Sequence, residues 1–435
     1  MATSPCHTTL LLLLLLLLLV HQHRTTAADE RQLLIEIKHV WGDPPVLAAW
    51  NNGSGSGDHC AWPYVTCDTS SGRVTSLSLA NTNVTGPFPD AIGGLSGLTS
   101  LNLSNNNITG AFPTSLYRCA SLRHLDLSLT YLGGELPAGI GRTLGANLTS
   151  LMLNGNYFTG TIPTSLSRLR NLQSLALDSN FFAGTIPAEL GDLTGLQTLT
   201  LAYNWFSAGE LPATFKSLTK LKYFFAANCS LTGDFPGFVT EMSELELLDL
   251  SFNYLTGSIP PGIWNLTKLR LLAIYKNDLT GEVVVGDGAF GAVNLVMIDL
   301  SENHGLDGPI PEAFGHLPKL QTLSLFNNSF SGEIPASIGR LPSLVMLKLF
   351  SNRLNGTLPR DLGKSSSGLL YVQVDDNEIA GTIPEGLCAN GKFQCLTAAN
   401  NSLNGSIPAS LAGCPTLKKL ILHDNELSGK VPFFL

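Results

Sequence analysis

Charge is what this chain has least of. Lys, Arg, Asp and Glu make up 13% of its 435 residues, about half of the roughly 25% usual in globular domains. The 25 basic and 33 acidic residues leave a net charge of −8. That balance offers none of the basic stripes that hold a phosphate backbone, which excludes nucleic acid as a partner. Long apolar runs are equally scarce. Beyond Leu10–Val20, no stretch approaches the ~20 residues a spanning helix needs. Catalytic signatures are missing too: the nine His are scattered, with no His-Glu-x-x-His, no Cys at metal-ligand spacing and no Gly-x-Ser-x-Gly. Gly286-Asp-Gly288-Ala-Phe-Gly291-Ala-Val293 has the outline of a kinase glycine-rich loop. The strand Lys, His-Arg-Asp and Asp-Phe-Gly that must follow it are absent. No enzyme, cofactor or metal is expected, and those glycines read as a loop.

What is present is one sentence written fifteen times. The clearest copy is Leu101-Asn-Leu103-Ser-Asn-Asn106-Asn-Ile108-Thr-Gly110-Ala-Phe-Pro113, and its glycine recurs at 86, 110, 134, 160, 184, 209, 233, 257, 281, 308, 332, 356, 381, 405 and 429. A period near 24 residues over residues 77–435 means stacked repeats forming a solenoid, and it overrides a length-based prior of about three domains. The two Leu sit two apart on a short strand and point together into the core. Asn at the turn (Asn106, Asn156, Asn180, Asn204, Asn253, Asn277, Asn303, Asn328, Asn352, Asn377, Asn401 and Asn425) satisfies backbone groups that burial would leave unpaired. Thr82, Thr130 and Cys229 fill that slot elsewhere. The Gly permits the bend, and a Pro soon after it hands the chain to a short helical turn; only the repeat at 281 lacks that Pro. The fold class expected is an α/β solenoid of about 15 leucine-rich repeats, coiled as a right-handed superhelix.

Residues 1–28 read as a signal peptide, with the apolar run of eleven residues followed by Thr26-Ala27-Ala28, so the mature chain is expected to begin near Asp29. Residues 29–76 read as a cap over the first open repeat. Leu33, Leu34, Ile37, Val40 and Trp41 recur at helical spacing, stopped by Gly42-Asp-Pro44-Pro45, and are followed by Trp50, Cys60, Trp62 and Cys67. This arrangement, with the LxGxIP form of the repeat, resembles the ectodomains of plant leucine-rich-repeat receptor kinases. Glu30-Arg-Gln-Leu-Leu through Trp41-Gly-Asp-Pro, then Leu47-Ala-Ala-Trp50, looks closest to the HAESA-like group. The resemblance implies a Cys60–Cys67 disulfide, as an exported setting allows. Among Cys388, Cys395 and Cys414 a second bond is expected, with its pairing left open. For Cys119 and Cys414, on the convex layer, a small buried hydrophobe is the plainer reading. Eleven sequons stand ready for glycans in an exported chain: Asn52, Asn83, Asn102, Asn107, Asn147, Asn228, Asn265, Asn327, Asn355, Asn400 and Asn404.

Function is then expected on the strand face turned away from the core. Outward positions form an aromatic run, Tyr203, Phe225, Phe252, Tyr275, Phe326, Phe350 and Tyr371, among Asp249, Lys276, Asp299, Ser324, Lys348, Gln373 and Asp375. Exposed aromatics on a rigid sheet suit an extended peptide. The bland alternative is that each ring packs on its neighbour. The resemblance implies a small secreted peptide on this face, with a co-receptor kinase joining at the C-terminal end. It also implies an Arg-x-Arg pair for the peptide carboxylate, where this chain has Lys419 and Ile421. A fork becomes one point charge. The chain reads as exported, in the wall fluid or at the cell surface. It stops at Val431-Pro432-Phe433-Phe434-Leu435 without capping cysteines, which reads as a receptor form truncated before its membrane and kinase segments, or a soluble decoy. The other class is a secreted inhibitor of a pathogen's wall-degrading enzyme, similar to polygalacturonase inhibitors.

Overall fold

The structure, a computed structural model, describes residues 27–51, 58–286 and 290–430. The expected signal segment, Asn52 and part of the glycine loop lie outside the described residues. The chain divides into two compact units, one running to Phe158 and the other starting at Thr159.

The first unit opens on the helix Ala27–Val40. Its apolar side buries Leu34 and Ile37 completely, while Val40, expected to face the core, is 38% exposed. The carboxylate of Glu30 is fully buried and accepts from the N–H of Val74 at 2.6 Å, which ties the helix to the strand Val74–Ser78. Trp50 and Trp62 stack with centroids 6.0 Å apart, and Trp50 donates to the carbonyl of Pro63 at 3.0 Å. Cys60 and Cys67 are bonded, as the resemblance implied. Val65–Cys67 pairs antiparallel with Val74–Ser78, and from there the strands run parallel, with Leu77, Leu101, Leu125 and Leu151 in one row.

The second unit repeats that parallel pattern from Ser174–Ala176 to Lys419–Ile421. Leu175, Leu199, Phe224, Leu248, Leu272, Ile298, Leu323, Leu347, Val372 and Leu396 form its inner row, each completely buried. After nearly every repeat proline the chain makes one 3₁₀ turn, such as Ala188–Asp192, Ala213–Ser217 and Glu312–His316, which buries Leu190, Phe215 and Phe314. The repeat without its proline makes no such turn among the described residues. Phe290 there stacks on Trp264 at 5.9 Å and fills the layer with an aromatic instead.

The ladder asparagines join rung to rung. Asn253 is 5% exposed. Its Nδ2 donates to the carbonyl of Ala226 in the preceding rung and to that of Leu250 in its own, both at 2.9 Å. Its Oδ1 accepts the N–H groups of Cys229 and Leu231, both at 3.0 Å. Cys229, standing where an amide would, offers only a thiol that reaches the carbonyl of Leu201 at 3.3 Å. The residue before each ladder position is forced to positive φ, including bulky Leu129, Tyr203 and Phe252 at 52°, 55° and 54°. Side chains rarely adopt that conformation, so the bonds on either side must hold it. At the template glycine the same logic is steric: a Cβ on Gly257, at φ +73°, would meet Asp234 Oδ1 at 2.9 Å.

Cys388 pairs with Cys414. The reading of Cys414 as a small buried hydrophobe is therefore corrected: its neighbour one turn of the repeat earlier is another cysteine, and their Cα atoms lie 5.9 Å apart. Cys119, Cys229 and Cys395 are free and buried. Burial pushes the Cys119 thiol up to about 11 and that of Cys229 further still.

Two outcomes follow. Asn253→Ala strands the N–H groups of Cys229 and Leu231 and the carbonyl of Ala226, while Asn277 Nδ2 still donates to the carbonyl of Leu250. It is expected to cost about 3 kcal/mol in urea unfolding, at roughly 1 kcal/mol or more per orphaned group; the exposed Glu378→Ala should cost under about 0.5 kcal/mol. Iodoacetamide at pH 8 should leave Cys119 and Cys229 unmodified in the native protein and label both after unfolding, because only the thiolate reacts. Mass mapping reads the result, and rapid native labelling would contradict their burial.

Candidate functional site

Several strands of the second unit show one buried residue flanked by two half-buried ones, as in Leu247–Asp249, Met297–Asp299 and Met346–Lys348. The flanking residues share the outer face because side chains alternate along a strand. The residue two before each ladder position, where described as half-buried, continues that face. Three columns result.

The first column runs Tyr223, Leu247, Leu271, Met297, Thr322, Met346 and Tyr371 across registered strands. Sequence reasoning found only Tyr371 here. The signal was available: the residue before the first Leu of each repeat is apolar in most of these rungs and lies two before the outward residue already counted. The middle column holds Phe225, Asp249, Ala273, Asp299, Ser324, Lys348 and Gln373 in the same registers. The third includes Tyr275, Phe326, Phe350 and Asp375, all half-buried.

The expected aromatics do not all lie on strands. Phe225 and Tyr371 do, whereas Tyr203, Phe252 and Lys276 occupy the positive-φ turn position at 54–55°. They line the rim. Lys276 Nζ sits 4.7 Å from the Phe252 centroid, and Phe252 meets Tyr275 edge-on at 5.1 Å. Phe326 and Phe350 stack with centroids 4.4 Å apart and planes 10° off parallel. The bland alternative therefore holds in part, since these rings do pack on their neighbours, yet each keeps an exposed portion. Ser324, expected to face outward, is 1% exposed and covered.

The acids divide in the same way. Asp249 and Asp299 each use Oδ1 to accept from the N–H and hydroxyl of Ser251 and Ser301, two residues on. Their first duty is to hold the turn. Burial pushes the carboxyl of Asp299 up, with Ser301 and the Lys348 ammonium pulling it back. Burial likewise raises the Tyr275 phenol. Asp375 accepts from the hydroxyl of Thr397 and from the N–H of Ala399.

Four expected residues converge. Phe350, Gln373, Asp375 and Lys419 line one open hollow of about 320 Å³, together with Ile421 and His423. Lys419 is exposed on the strand Lys419–Ile421. The mid-face acids belong to other rungs and take no part in it. Of the sequons, Asn83, Asn147, Asn228, Asn265, Asn355, Asn400 and Asn404 are exposed, while Asn102, Asn107 and Asn327 are half-buried.

The leucine rich repeat model matches residues 72–132, 146–206 and 293–354, a second leucine rich repeat model matches 244–266, and the leucine rich repeat N-terminal domain matches 27–68. A crystal structure of the Arabidopsis receptor kinase HAESA ectodomain with an N-terminally extended IDA peptide hormone is 37% identical. That match covers 94% of this chain and 67% of the receptor's, with a TM-score of 0.87. A second HAESA structure, with IDA and the co-receptor SERK1, is also 37% identical, covering 93% and 67% at a TM-score of 0.87. A polygalacturonase inhibitor of Pyrus communis is 39% identical over 67 residues, 15% of this chain and 19% of the inhibitor. The matched segment thus spans about a fifth of that curated relative. With the same cap, the same repeat and this degree of identity along most of its length, the chain belongs to the plant leucine-rich-repeat family, in the branch of receptor-kinase ectodomains.

Proposed function

We propose that the outer strand face of the second unit binds an extended extracellular peptide. The observation that carries this reading is the three-column face: an apolar column, a seam of acid and base, and a column with aromatic rings. A peptide strand offers the complementary set, with alternating side chains and a backbone between them. From the Leu247 rung to the Lys419 rung are seven steps of about 4.8 Å, so the face suits roughly ten residues of extended chain at ~3.3 Å each. Lys419, at the end of that track, is placed to take a terminal carboxylate as a single point charge. The HAESA structures support the reading, since that receptor holds a peptide hormone and assembles with a co-receptor kinase. For this chain the co-receptor would join at the C-terminal side, outside the cell, in the wall fluid or at the surface, with glycans on the exposed sequons of the second unit.

A second reading, inhibition of a pathogen's polygalacturonase in defence, is favoured by the inhibitor relative from Pyrus communis. One experiment separates the two. Synthetic peptides of about ten residues are titrated by calorimetry as free acids and as C-terminal amides, beside a fungal polygalacturonase assay. Peptide binding that weakens by about tenfold on amidation or in Lys419→Ala, equivalent to ~1.4 kcal/mol, supports the peptide reading. Phe326→Ala should weaken it similarly, by opening the stack with Phe350, while the exposed Tyr254→Ala should not. Saturable inhibition of the polygalacturonase with no peptide binding would reverse the order of the two readings.

A further inference from the structure

A different surface, on the flank of the first unit, carries chemistry that the strand face does not use. We propose that it binds a neutral oligosaccharide. The position immediately after each ladder residue points to this flank. In four rungs it holds Asn83, Asn107, Tyr131 and Tyr157. The tyrosines are 49% and 48% exposed, and their rings stack with centroids 5.8 Å apart and planes 15° from parallel. Where the column passes from ring to amide the side chain shortens by most of a ring. The surface steps down there. That step is an open groove of about 540 Å³, walled by tyrosine and floored by asparagine.

The floor is ordered by the chain itself. Asn107 Nδ2 donates to Asn83 Oδ1 at 2.8 Å, and beside it Asn105 Nδ2 donates to Asn81 Oδ1 at 2.5 Å. Two parallel amide pairs therefore present Nδ2 donors at one end, on Asn81 and Asn83, and Oδ1 acceptors at the other, on Asn105 and Asn107. None of these four atoms makes a further hydrogen bond among the described residues. Amides held that way match vicinal hydroxyls, each of which both donates and accepts. The C–H face of a pyranose ring is apolar and fits the exposed tyrosine wall, as rings with one apolar face and one wet edge do. Leu129 adds to the apolar side. It is 55% exposed and leans over Gly155, where a Cβ would meet its Cδ2 at 2.5 Å. No Lys, Arg, His, Asp or Glu lines the groove. A phosphate or uronate has nothing there to neutralise it, which selects an uncharged sugar.

Asn83 and Asn107 also head sequons completed by Thr85 and Thr109, so a glycan attached to the chain would bring the same chemistry to the same place. The test removes that source without touching the amides. The double variant Thr85→Ala/Thr109→Ala, secreted from a glycosylating host, is titrated by calorimetry with cellohexaose, mannohexaose and xylohexaose, and with a hexamer of galacturonic acid as the charged probe. We expect saturable binding of at least one neutral hexamer and none of the charged one. Adding Tyr131→Ala should weaken that binding at least tenfold with an unchanged melting temperature, and Tyr131→Phe should retain it. Failure of all three neutral probes, tighter binding of the galacturonate, or indifference to Tyr131→Ala would each overturn the proposal.

Discussion

Every surface described above is positioned by the ladder residue of its rung, an amide in all but the rungs of Thr82, Thr130 and Cys229. A solenoid strand ends in a turn whose carbonyls and N–H groups face inward, out of reach of water. In Asn253 a single side chain pairs with two carbonyls at 2.9 Å and two N–H groups at 3.0 Å, drawn from its own rung and the one before. An orphaned buried donor or acceptor costs about 1–3 kcal/mol, so the amide sets both the turn and the spacing between rungs. The leucines supply the greater part of the burial, but leucine does not fix register. A nearest-neighbour architecture depends on such local links, because no rung contacts any but its neighbours.

From that fixed point the rest follows by counting. One residue before the amide lies the strained turn, at φ near 54° for Phe252 and 55° for Tyr203 and Lys276. Two residues before it lies the strand face, with Tyr275, Phe326 and Phe350. One residue after it lies the flank, with Tyr131 and Tyr157. The repeat thus offers each side chain a defined direction, and the sequence is free to vary at those positions because none of them is needed to close the turn. A rigid frame with variable outward residues lets different faces serve different ligands at little cost to stability. The strand face carries charge and rings suited to a peptide; the flank of the first unit carries amides and rings without charge.

Much of this was legible in the residues alone. The period near 24, the ladder asparagines, the proline before each convex turn and the cap disulfide all reflect local backbone needs, which short motifs express directly. What escaped was relational. The apolar column Leu247, Leu271, Met297 and Met346 was missed because single apolar residues beside the core Leu show no common face until register aligns them from rung to rung. Ser324 was expected outside and is covered, since burial depends on neighbours one rung away. Cys414 was taken for a small hydrophobe because its partner, Cys388, stands 26 residues earlier. The flank went unread for the same reason: Tyr131 and Tyr157 are isolated letters until stacking sets them beside Asn83 and Asn107.

The central claim is that recognition occurs on the strand face of the second unit. The most direct measurement is photo-crosslinking in extracellular fluid, with a benzophenone amino acid in place of Met346 in one preparation and of Tyr254 in another, and mass spectrometric sequencing of what is captured. The account predicts a peptide of roughly ten residues or a short precursor of it attached at 346 and absent at 254. A wall-degrading enzyme captured at 346, or the same peptide captured at 254 instead, would contradict it.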